Sequence, residues 1–283
     1  MSTSGPARGR SFFLGRGAAA RYCLYTPPAG PCRGAFQYVA PFAEEMNKSR
    51  RMAALQARRL ADAGYAVLQM DLHGTGDSAG DFADARWDSW LDDLERGDQW
   101  LRQELGAALA QPPGLWGLRL GALLALDRAQ RAAPASLLLW QPVLQGTSFL
   151  TQFLRLKVAG AMLGDGGQGA TTATLRAGLA QGAALEVAGY TLSPALTQAM
   201  DDADAGRMAA PPCPVHWFEL ASEAGKPLTP AAQRTLDAWQ AQGVEASAAS
   251  VAGPQFWATQ EISTSPALLD ATLAALTVRC HAG

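Results

Sequence analysis

Two rhythms of apolar positions take turns along the chain. Short apolar runs, "GAFQYVAPF", "YAVLQMDL", "PGLWGL", "ASLLLWQPV" and "CPVHWFEL", read as strands; "ASLLLWQPV" has the continuous apolar core of a central parallel strand. Between them lie stretches with apolar residues at helical spacing. In "KSRRMAALQARRLADAG" these are Met52, Leu55 and Leu60, with Gly64 as the C-cap. In "RWDSWLDDLERGDQWLRQEL" they are Trp87, Trp90, Leu91, Leu94 and Leu101. "LGALLALDRAQRA", "PAAQRTLDAWQAQG" and "SPALLDATLAALTV" are further helices. "SFFLG" and "ARYCLYTP" form a first hairpin, and "GVEASAASV" is the last strand. Strands alternating with helices imply right-handed crossovers. They predict an α/β fold with a mostly parallel central sheet and helices on both faces.

One segment breaks the rhythm. From Gly146 to Arg207 the chain is rich in Ala, Gly and Thr, with a helical pattern in "FLTQFLRLKVAGAML". It is expected to be an inserted helical cap. Residues 1–145 and 208–283 then make the core and 146–207 the cap, with a linker at Gly164 to Ala170.

Composition narrows the function classes. The chain has 283 residues, of which 48% are hydrophobic and 17% charged, which suits a globular α/β fold. A formal charge of −2 gives no reason to expect nucleic acid or an anionic membrane as partner. No stretch approaches the ~20 apolar residues of a membrane span. Cys23, Cys32, Cys213 and Cys280 show no C-x-x-C spacing, and three His add little to a metal site. The expectation is a cytoplasmic protein with neither metal nor cofactor.

The chemistry centres on "GLWGLRLGALLAL", Gly114 to Leu126. A strand runs through Gly-x-x-x-Gly directly into a helix, the layout of a nucleophile elbow. Its middle position is normally Ser, Asp or Cys; here it is Arg119. Gly117 and Gly121 let strand and helix approach around a residue at unfavourable φ.

The order of elements, this elbow and the turn "DLHGTGDSAG" resemble the α/β-hydrolase superfamily, whose Asp-x-x-Gly-x-Gly-x-Ser pattern falls on Asp71, Gly74, Gly76 and Ser78. More narrowly, "PFAEEMNKSRRM", "GLWGLRLGALLAL" and "GPQFWATQEI" are similar to the exosortase A system-associated hydrolase 2 family. That resemblance implies an α/β-hydrolase fold and a bacterial setting beside exopolysaccharide and exosortase genes. Proteins of that system then become possible partners. Chemistry has to be settled residue by residue.

The superfamily's triad runs Ser, acid, His along the chain. Arg119 stays protonated and is no nucleophile. The nearest carboxylate after "CPVHWFEL" is Glu223, with Glu219 closer to the strand interior. The loop after the last strand, "AGPQFWATQE", has Gln255 or Phe256 near the place of the base and no His. His73 belongs to a turn, His216 reads as a packed strand residue, and His281 is in the tail. Triad-equivalent positions are therefore Arg119, Glu223 and Gln255. Ser78 is the first alternative nucleophile to consider.

Ligands of open α/β sheets bind beyond the carboxyl ends of the strands. There the sequence places Glu44, Glu45, Asn47, Arg119, the Leu120 N–H and Gln141. Trp140, Phe256 and Trp257 either wall the pocket or pack in the core. Asn47 is expected to N-cap the helix, while Lys48, Arg50 and Arg51 either serve the site or form a solvated face. A buried guanidinium needs a partner; Glu45 is the first expected, ahead of Glu44 and Glu223. Three functions remain open. The protein binds a small or glycan-related ligand, or a partner, without ordinary hydrolysis. Or it hydrolyses an ester or amide of a glycan or lipid precursor by an unusual route, with Glu45 or Glu223 as base and Arg119 and the Leu120 N–H as donors. Or its cap docks another protein.

Overall fold

In the computed structural model, residues 9–163 and 171–277 are described; the expected linker at 164–170, Cys280 and His281 lie outside them. Strands β1 (Arg10–Leu14) and β2 (Arg21–Thr26) form the antiparallel opening hairpin. Strand β3 (Gly34–Val39) leads through α1 (Glu44–Asp62) to β4 (Tyr65–Met70), and α2 (Trp87–Leu105) leads to β5 (Gly114–Leu118). Helix α3 (Leu120–Arg131) then connects to β6 (Leu137–Trp140). Between β6 and the next sheet strand come α4 (Gly146–Leu163), α5 (Thr172–Ala180), a hairpin of β7 (Leu185–Val187) and β8 (Tyr190–Leu192), and α6 (Pro194–Asp202). The sheet resumes with β9 (Val215–Ala221), followed by α7 (Pro230–Ala241), β10 (Ala246–Ala252) and α8 (Pro266–Thr277).

Eight strands form one sheet in the order β1-β2-β4-β3-β5-β6-β9-β10, parallel from β4 to β10 and antiparallel at β1, β2 and β4. The strand alternation sorts side chains into two cores. Met52 and Leu60 of α1 and Leu268 and Leu269 of α8 pack with Trp116, Trp140 and Phe256 on one face. Leu91 and Leu94 of α2, Leu123 of α3 and Trp239 of α7 pack with Leu115, Leu139 and Trp217 on the other.

Three sequence expectations are corrected locally. Helix α1 starts at Glu44, not near Lys48, so Asn47 is inside the first turns and caps nothing. The residue before the helix, Ala43, has φ 52° and ψ −125°, which turns the chain without a capping side chain. The inserted segment is not all helix: Ala188 and Gly189, both at positive φ, close the β7–β8 hairpin. That backbone suits the two-residue hairpin turn that Gly favours.

The turn after β4 is held by ionic contacts. Arg21 Nε donates to Asp93 Oδ2 at 2.6 Å, both side chains buried, and the His73 backbone N–H donates to the same oxygen at 2.8 Å. Ser78 Oγ donates to the Asp71 carbonyl and accepts from Tyr22 N–H. Buried and engaged in both directions, Ser78 is a structural hydroxyl rather than a nucleophile in waiting. Among the described residues, no helix is long and apolar enough to cross a membrane.

Candidate functional site

The elbow exists as geometry. Arg119 has φ 56° and ψ −120° between β5 and α3, a conformation costing a non-glycine residue about 1–3 kcal/mol. Its N–H donates to the Trp140 carbonyl at 3.0 Å, and its carbonyl accepts from Ala122 and Val143 at 3.0 and 3.1 Å. These bonds tie the strained residue to the next strand and to its own helix. The flanking glycines are required by contact. A Cβ on Gly117 would lie 2.5 Å from Ala122 Cα, and one on Gly121 would lie 2.3 Å from the Val39 carbonyl oxygen.

The Arg119 side chain reaches back over α1. Its Nε donates to Glu45 Oε1 at 3.3 Å. Its Cζ sits 5.3 Å from the Trp257 ring centre and 5.8 Å from that of Phe149, within range of cation–π attraction. The Nη groups make no hydrogen bond among the described residues. Burial pushes the Glu45 carboxyl above the ordinary carboxylate range, and the Arg119 charge pulls it part of the way back.

Arg119 lines a cleft of about 580 Å³ over the ends of β6 and β9, walled by α4 and α7. Gln141, Ser148, Gln152, Glu219 and Arg234 also face it. Gln141, at φ 43°, ties the two strands together: its N–H donates to Phe218 O at 2.7 Å and its Oε1 accepts from Leu220 N–H at 2.7 Å.

The other expected site residues separate. Glu44 and Asn47 are exposed and meet Tyr190 of β8, at 3.3 and 3.1 Å from its hydroxyl. The Leu120 side chain lines a small apolar void with Phe42 and Trp90 rather than the cleft. Trp140 and Phe256 are not pocket walls: strand and loop direction put them in the α1–α8 core, where Trp140 Nε1 donates to Thr272 Oγ1 at 2.9 Å. Trp257 is also buried, but its ring faces the Arg119 guanidinium. Glu223 is exposed on the loop and does not line the cleft. The carboxylate that does is Glu219, whose oxygens accept from Thr229 N–H at 2.9 Å and Thr229 Oγ1 at 3.0 Å, holding the start of α7. Strand β9 runs on to Ala221, so Glu219 is inside it and reaches the cleft at the strand end. Gln255 is exposed and outside the cleft lining.

No histidine lines the cleft among the described residues. His73 is fixed in the turn after β4, with its backbone N–H bonded to Asp93. His216 lies near the start of β9, with Nδ1 2.8 Å from Ser247 Oγ, at the opposite end of the strands.

No family model matches the chain, and no curated protein sequence matches it. Solved structures do. Est1E of Butyrivibrio proteoclasticus, with ferulic acid bound, superposes with a TM-score of 0.64 at 12% identity, covering 93% of this chain and 96% of that one. A putative hydrolase of Agrobacterium vitis gives 0.57 at 18%, with coverage of 95% and 99%. The protein XC6422 of Xanthomonas campestris, described as an α/β serine hydrolase without lid, gives 0.57 at 13%, with coverage of 98% and 97%. The chain has the α/β-hydrolase fold.

Proposed function

We propose that this protein uses the elbow to bind a ligand, without ordinary Ser-His-acid hydrolysis. The observation carrying this is Arg119 itself: it occupies the nucleophile's strained position, holds Glu45 through Nε, and keeps its Nη donors for the cleft. Fixed between two rings, the planar guanidinium suits a carboxylate, phosphate or sugar hydroxyl. Residues 146–207 act as a cap whose helix α4 supplies Ser148, Phe149 and Gln152 to the cleft. The resemblance to exosortase-associated hydrolases supports a cytoplasmic role beside exopolysaccharide production, with a glycan-related ligand. The test has two arms. A fluorophosphonate probe should label no serine, and p-nitrophenyl acetate should give no burst. Glucuronate or inorganic phosphate, followed by NMR, should perturb resonances around the cleft in the wild type and not in Arg119→Ala. Stoichiometric labelling, or binding indifferent to Arg119→Ala, rejects this reading.

A further inference from the structure

A second cleft, of about 550 Å³, lies between α1 and the face of β2, β3 and β4. Its size is within the ~300–1,000 Å³ of small-molecule pockets. It is separate from the Arg119 cleft; the two share no lining residue.

Its floor carries polar groups without partners. Tyr38 and Gln69 are register neighbours on the parallel strands β3 and β4. Both line the cleft. Tyr38 is only 6% exposed, and its hydroxyl makes no hydrogen bond among the described residues. The Gln69 Oε1 is buried without a partner as well. A buried polar atom left unpaired costs about 1–3 kcal/mol, so the Gln69 oxygen, next to the unpaired Tyr38 hydroxyl on the floor of one cleft, calls for a ligand. Burial pushes the Tyr38 hydroxyl far up, with Arg50 opposing and Glu45 reinforcing, so the hydroxyl keeps its proton and can donate.

Charge selects the ligand class. Arg50 Nη2 donates to Asp71 Oδ2 at 3.1 Å. The carboxylate is buried, the guanidinium about half exposed, and the two charges cancel. Asp77 is exposed at the rim. With Arg50 and Asp71 paired, an anion entering here still meets Asp77. A neutral molecule bearing hydroxyls pairs with donors on Arg50 and Tyr38 and with the Gln69 acceptor. Leu24, Met46 and the Tyr22 ring offer apolar surface to the C–H face of its ring. Ala53 and Ala54 of α1 make the room.

We infer that the cleft between α1 and β2–β4 is a binding site for a neutral, polyhydroxylated small molecule of sugar or cyclitol type, held by Tyr38, Gln69 and Arg50. The experiment uses the full chain with D-glucose, maltose and myo-inositol as probes and octanoate as the anionic comparison, read by saturation-transfer NMR and titration. At least one of the three polyols should bind and octanoate should not. Tyr38→Phe, Gln69→Leu and Arg50→Gln should each weaken binding about three- to tenfold, as loss of one hydrogen bond does. Ala54→Trp, which fills the cleft from the helix side, should abolish it. Circular dichroism confirms that each variant is folded; Arg50, being exposed, serves where an inner substitution unfolds the chain. Absence of binding by all three polyols, tighter binding of octanoate, or binding insensitive to both Arg50→Gln and Ala54→Trp overturns the inference.

Discussion

Arg119 and Glu45 meet at the elbow through a single contact, Nε to Oε1 at 3.3 Å, while Glu45 Oε2 is buried with no partner. Their side chains are 19% and 21% exposed, so the pair is shielded without being fully withdrawn from water. Arg119→Ser leaves Glu45 alone in that place. Because water still reaches the pair, the loss of stability should be about 1–3 kcal/mol, below that of a fully buried pair. The same variant places a serine on an intact elbow, and it should still show no esterase activity above the uncatalysed rate, because no histidine lines the cleft among the described residues. A urea titration and a p-nitrophenyl acetate assay on one preparation test both outcomes.

The raised carboxyl of Glu45 gives a pH signature. Its folded-state pKa lies above the ordinary 4.5, chiefly through burial. The folded protein therefore holds this proton more tightly than the unfolded chain does. The resulting stabilisation is present below the ordinary value and is lost as pH rises through 4.5 to the raised pKa. Arg119→Gln removes the opposing positive charge, so the window extends further upward. Urea midpoints between pH 4 and pH 8, on the order of the span where such a group titrates, should fall more steeply in Arg119→Gln than in the wild type. Adding Glu45→Gln should remove the extra slope; an unchanged slope would show that another group titrates.

Two glycines should respond oppositely to the same methyl group. At Gly121 a Cβ meets the Val39 and Ala40 carbonyl oxygens at 2.3 and 2.4 Å, which are backbone atoms with no easy retreat. Gly121→Ala should destabilise by about 2–4 kcal/mol. At Gly160, within α4, nothing lies within 4 Å. Gly160→Ala should stabilise by about 0.5–1 kcal/mol through helix propensity. Thermal unfolding of the two variants beside the wild type decides it, and equal shifts would contradict the contact argument.

Asp93 joins the hairpin, the turn after β4 and helix α2 by accepting from Arg21, the His73 backbone and Arg96. With Arg21 and Asp93 both almost wholly buried, Asp93→Ala strands a guanidinium in the interior. A loss of about 3–5 kcal/mol is expected, to be read from the denaturant midpoint. A change under about 1 kcal/mol would mean that water reaches Arg21 readily.

The architecture was legible because strand runs and helical spacings are local: the hairpin, the alternation and the elbow all follow from residues near one another in the chain. What stayed hidden depends on direction in space. Trp140 and Phe256 look like pocket aromatics until the sheet fixes which face each one joins. Glu219 outranks Glu223 in the cleft only because β9 continues past it. The start of α1 was missed because Ala43 turns the chain by its backbone alone, leaving no capping side chain to read. The β7–β8 hairpin did leave a signal, a glycine at 189 between short alternating runs, which the Ala-rich surroundings obscured.

The close contacts at Gly117 and Gly121 bear on how such a protein changes over generations. The close contacts at the flanking glycines do not involve the side chain at 119, whereas dismantling the turn means refitting β3, β5 and α3 together. Chemistry at this position is thus inherited loosely and shape is inherited tightly. A serine here takes one replacement, but ordinary hydrolysis also needs a base, and no histidine lines the cleft among the described residues. On this scaffold a single replacement at 119 changes the chemistry offered to the cleft, while a catalytic dyad needs two coordinated ones.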